Sequence, residues 1–149
     1  MKTGTVTKKK SLITYSIAFV IIPMLIGAIL YYIFCSDVWF VKMIDGCLWQ
    51  IKRPSVDVLS NPLLRFIRYY AFDFIWAFAM TNALFIVVNN NTKPILICLT
   101  IPVALGGAME ILQLLGIAQG TSDILDVVAE GLGSTLGVII INYFRRLYT

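Results

Sequence analysis

Four apolar runs, each about long enough to cross a bilayer, dictate what this chain can fold into. They extend from about Leu12 to Phe34, Tyr69 to Val88, Ile95 to Leu115 and Ile124 to Phe144. About 20 apolar residues cross the hydrocarbon as a helix. Backbone groups in lipid find no water to bond, so helices that satisfy their own N–H and C=O groups are the spanning form. The expected fold class is an all-α integral membrane protein: four transmembrane helices in an antiparallel bundle, one domain over residues 1–149. Composition agrees. Mean hydropathy is +0.86 and charged residues make up 13%, against about 25% in a typical globular domain. The first run lacks the short apolar core and small-residue cleavage site of a removable signal peptide, so it reads as a retained anchor.

Charge sets the expected orientation. Lys2, Lys8, Lys9 and Lys10 precede the first span, Lys93 lies in the second loop, and Arg145 and Arg146 follow the fourth span. Cationic loops stay on the cytoplasmic side. The chain is therefore expected in the cell membrane as a multi-pass protein with both termini cytoplasmic. Lys42, Lys52, Arg53, Arg65 and Arg68 oppose this from the outer loop, offset there by Asp37, Asp45 and Asp57.

The outer loop, Cys35 to Arg68, mixes aromatics with a few charges between Val38 and Trp49. That pattern suits a short helix lying in the membrane interface. A simple aromatic belt of Trp39, Trp49, Tyr69 and Tyr70 is the equal alternative. Pro54, Ser60, Asn61 and Pro62 are expected to break the chain before the second span. Cys35 and Cys47 both fall outside, either as a disulfide or as free thiols. Cys98 reads as a small packing residue.

The unusual residues are acids. A charged residue at mid-bilayer costs roughly 2.5–3.5 kcal/mol on insertion scales, so intramembrane acids are functional candidates. Asp73 lies near the outer end of the second span, with Arg68 as a competing local ion-pair partner. Glu110 and Gln113, three apart, share one face of the third span. Asp123, Asp126 and Glu130 are spaced to line one face of the fourth. The turn from Gly116 to Ser122 is short, which makes these helices neighbours and lets Glu110 face Glu130. An acidic pocket opening outward is expected, with Asp73 joining it. Asp123 reads equally as the N-cap of the fourth helix, with Asp126 favoured by the helix dipole in the first turn. Gly133 and Gly137 form a small-xxx-small packing motif, with Gly106 and Gly107 as a candidate opposing surface.

The ordinary catalytic signatures do not occur. The chain has no histidine. No Cys or carboxylate spacing matches a metal site, and no cofactor is implied. There is no phosphate-binding glycine loop and no nucleophile elbow, so catalytic residues stay unassigned. Topology explains the net charge of +4, which therefore does not argue for nucleic acid.

Together, Glu110 and Gln113, the short turn, Asp123 and Asp126, and Gly133 with Gly137 resemble the VanZ-like family. That family takes its name from a membrane protein of glycopeptide-resistance clusters associated with teicoplanin resistance. Asp73 with Trp76 is similar to the acid-bearing second helix of related proteins. Two positions depart from the family pattern. Gly120 or a neighbour stands where an Arg is expected, and Glu130 where Asn is typical, so this site is more negative. The resemblance implies a bacterial multi-pass membrane protein and supports three readings. The first is a non-enzymatic envelope protein that binds a lipoglycopeptide or a lipid-linked cell-wall precursor. The second is an assembly subunit whose acids and glycines meet a membrane partner. The third is an enzyme on lipid-linked precursors, using paired carboxylates as acid and base or as Mg²⁺ ligands. Membrane lipids are partners under all three.

Overall fold

The computed structural model describes residues 12–34, 39–47, 61–88, 94–118 and 121–148, and all of their regular structure is helical. We label the helices α1 (Leu12–Phe34), α2 (Trp39–Cys47), α3 (Pro62–Val88), α4 (Pro94–Leu114) and α5 (Ile124–Tyr148). All except α2 are long and apolar enough to cross a membrane. Their exposed large side chains, such as Ile13, Leu25, Val87, Leu96 and Leu132, are apolar. In a spanning helix that is the expected surface, because lipid is the solvent there.

α3 begins seven residues before the apolar run that first marks it. The cause is at Asn61 and Pro62, which open this helix. Asn61 Oδ1 accepts from Leu63 N–H at 2.9 Å, and its carbonyl from Arg65 N–H at 3.0 Å. Asn is a strong N-cap, and proline suits the first helical position because its missing N–H has no partner there anyway. The early start puts Asp73 about 16 Å along the helix from Pro62, at 1.5 Å per residue.

α3 is the central element, packing most extensively on α5 and also on α4 and α1. Glycines permit the closest of these approaches. A Cβ at Gly133 would run into the Phe74 backbone carbonyl of α3, and one at Gly137 would lie 2.7 Å from Thr81 Cγ2. The small-residue pair therefore seats α5 on α3, not on Gly106 and Gly107 of α4. Gly107 has nothing within 4 Å of its virtual Cβ.

Two prolines interrupt spanning helices, and the fold accommodates both. Pro23 directly follows a π-helical turn at Ile17–Ile21, closed by Ile22 N–H to the Ile17 carbonyl. Such wide turns are a recognised way for a helix to bend without breaking. Pro102 is buried inside α4. Without an N–H it leaves the carbonyl of Cys98, four residues back, without its helical donor. Thr81 of α3 supplies the replacement, its hydroxyl donating to the Cys98 carbonyl at 3.1 Å. Replacing Thr81 by valine is expected to orphan that carbonyl at a cost of about 1–3 kcal/mol. In a Pro102→Ala background the helix restores its own bond, so the loss should shrink. Unfolding midpoints of the four proteins of this cycle check the prediction.

Next to Thr81, Asn82 donates to the Phe78 carbonyl at 2.7 Å and accepts the hydroxyl of Tyr15 from α1. The Tyr15 ring is 1% exposed and packs among Phe19, Phe85 and Phe144. One polar contact inside an aromatic cluster thus fixes the register of α1 on α3. At the other end of α1, Tyr32 donates to Asp45 of α2 at 2.7 Å. Cys47 is an exposed free thiol; Cys35, its candidate disulfide partner, lies outside the described residues.

Candidate functional site

The α4–α5 turn gathers the sequence-predicted residues. Gly116, at φ +70°, ends α4 as only glycine does without strain. Its N–H bonds the Gln113 carbonyl at 2.9 Å and Ile117 N–H bonds the Leu112 carbonyl at 2.9 Å, a Schellman closure. α5 then starts at Asp123, whose Oδ1 accepts from Leu125 N–H at 2.9 Å as an N-cap.

Three of the candidate residues clasp this turn. Glu110 Oε2 accepts the Asp123 backbone N–H at 2.6 Å. Gln113, with its amide nitrogen turned to the acceptors around it, donates to Glu110 Oε1 at 3.3 Å and the Thr121 carbonyl at 3.2 Å. Asp123 Oδ2 accepts from the Tyr70 hydroxyl of α3 at 3.3 Å. Glu110, Gln113 and Asp123 therefore hold α4, α5 and α3 together at one end of the bundle. A typical intramolecular hydrogen bond contributes about 0.5–1.5 kcal/mol net, and the four together are enough to fix the turn.

The remaining acids of the cluster are Asp73, Asp126 and Glu130. Asp73 and Asp126 each lie within electrostatic reach of Glu110, and Glu130 within reach of Asp73, Glu110 and Asp126. Like charges in a poorly hydrated site repel strongly, so this arrangement favours a cation or shared protons. Glu130 is the extreme case. It is 6% exposed, and its Oε2 has no hydrogen-bond partner. Its carboxylate fills the space beside Gly106 of α4, where any side chain would collide with it. One turn further along α5, the buried Ser134 hydroxyl also has no partner. Among the described residues, no three Cys, His or acidic side chains are placed to share a metal ion.

Sequence reasoning missed Tyr70, Ser134 and the role of Gly106. Ser134 carries a readable signal, lying four residues after Glu130 on the same face. Tyr70 and Gly106 carry none, because their roles depend on which helix faces which. Gly120 lies outside the described residues.

Beside the cluster, α1, α2 and α3 enclose a cleft of about 430 Å³. Gly27, Ala28, Val41, Phe72 and Trp76 contribute to its largely apolar lining. Asp73 is its one charged residue among those described. Asp73 thus stands between the cleft and the other acids.

Fold and site together define a helical protein with the makings of a multi-pass membrane protein and an acid cluster built into its spanning segments. No family model matches the chain, and neither curated proteins nor solved structures show a significant likeness to it.

Proposed function

We propose that this chain is a VanZ-like, non-enzymatic protein of the cell membrane whose acid cluster receives the amine-bearing part of an envelope-directed ligand. On this reading it lowers the effect of a lipoglycopeptide such as teicoplanin, by binding the drug or a lipid-linked precursor. The four long helices span the bilayer as an antiparallel bundle, α2 lies in the interface, and both termini are cytoplasmic. The acids then open toward the outer face.

The observation that carries the reading is Glu130: a buried side chain whose Oε2 has no hydrogen-bond partner, set near Asp73, Glu110 and Asp126. Leaving such a group unpaired costs free energy, which a protein tolerates where the group serves a ligand. Glu110, Gln113 and Asp123 support this site by closing the turn, so variants there mix structural with functional loss.

The deciding experiment is teicoplanin susceptibility in a deletion strain complemented at matched membrane levels. Wild type is expected to restore growth in the drug, and Asp126→Asn and Glu130→Gln to fail. Protection by both variants equal to wild type would sink the reading.

A further inference from the structure

The cleft between α1, α2 and α3 has a chemistry of its own. We infer that it binds a membrane amphiphile with one aliphatic chain and a terminal ammonium group. The chain lies along Met24, Ala28, Phe72 and Trp76, and the ammonium rests on Asp73. This inference names the ligand class at the acidic end of the bundle, and so rests on the reading that those acids face a ligand.

Size, polarity and charge all support it. About 430 Å³ lies within the usual range for small-molecule sites, roughly 300–1,000 Å³. The lining is almost wholly apolar except for Asp73 and the two tyrosines, Tyr31 and Tyr32. Tyr32 is committed to Asp45, which fixes α2 as a wall. The titratable neighbours that couple to Asp73 are themselves acids, Glu110, Asp126 and Glu130. An all-acidic surrounding suits an ammonium headgroup and offers nothing to a carboxylate or phosphate. Entry is lateral: Met24 and Trp76, at 47% and 37% exposed, sit where the cleft meets the lipid-facing surface.

Trp76 gives the readout. The full chain, with Trp39→Phe and Trp49→Phe so that Trp76 reports alone, is placed in phosphatidylcholine vesicles. The probe is octadecylamine brominated in mid-chain; the control is the equally brominated octadecanol. Saturable quenching by the amine is expected, with only collisional quenching by the alcohol. Asp73→Asn should weaken amine quenching about tenfold or more, the loss of one charge-assisted contact. Ala28→Phe, at an exposed position, should abolish it by filling the cleft.

Equal quenching by alcohol and amine overturns the proposal, as does an Asp73→Asn protein that binds like wild type. If Asp73→Asn does not elute as a single helical species, Ala28→Phe decides alone, and persistent saturable quenching there overturns the proposal. Failure here with teicoplanin protection still dependent on Asp126 removes the cleft site and keeps the envelope role. Amine binding without any effect on susceptibility does the reverse.

Discussion

Gly133→Val is expected to break the α3–α5 seam and to be among the most damaging single substitutions in the chain. The side chain would begin where the Phe74 carbonyl of α3 now stands. Backbone cannot rotate aside as a side-chain tip can, so the helices must separate. In lipid, separation is doubly costly. Helix association there depends on close van der Waals contact, without a hydrophobic force to compensate. Overpacking typically costs about 1–3 kcal/mol, and more where rigid groups collide. We expect a loss at or above the upper end, read as a collapsed thermal midpoint or loss of monodisperse elution in detergent. Gly131→Ala provides the control two residues away. Nothing lies within 4 Å of its virtual Cβ, and alanine is the better helix former by up to about 1 kcal/mol. An unchanged or raised midpoint is expected there. Equal damage at both positions would show that helix character, and not contact with Phe74, sets the sensitivity.

The second large effect couples Gly106 to Glu130. A methyl at Gly106 occupies the position of the Glu130 carboxylate. Glu130 is buried, so its side chain must swing aside within a packed interface to make room. Gly106→Ala is therefore expected to destabilise by about 1–2 kcal/mol despite its better helix propensity. Glu130→Ala in the same chain removes the obstacle, and the double variant should recover most of the loss. A coupling energy of about 1 kcal/mol or more in that cycle, measured by reversible unfolding in mixed detergent, is the expected signature. Strict additivity would mean that Glu130 does not occupy the space beside Gly106. Gly107→Ala, with open space around it, should be neutral throughout.

These two results bear on function because they separate scaffold from site. Gly133 and Gly137 build the seam on which α5 rests. Glu110, Gln113 and Asp123 close the turn above it. Asp73, Asp126 and Glu130 are the acids on which the proposed function rests. A loss of protection in Asp126→Asn with an unchanged unfolding midpoint would belong to the site, whereas the same loss in Glu110→Gln is entangled with the α4–α5 turn.

Much of this was legible in the residues themselves. Spanning helices follow from apolar length, because lipid offers the backbone no alternative partner. The cap at Asp123 follows from local hydrogen-bonding chemistry, and so does the shared face of Asp126 and Glu130 from the helical period. Local rules also account for Asn61 and Pro62, although as the start of α3 and not as a break before it. What only the tertiary structure decided is which faces meet. Gly133 and Gly137 could serve any neighbouring helix, and the structure seats them on α3. Glu130 needed a gap, and Gly106 provides it from α4. Thr81 covers the carbonyl freed by Pro102, and Asp73 turns out to border a cleft as well as a cluster. The physical reason is that periodicity fixes what shares a face, whereas apolar helices in lipid choose partners by shape and by a few buried polar contacts between residues distant in sequence.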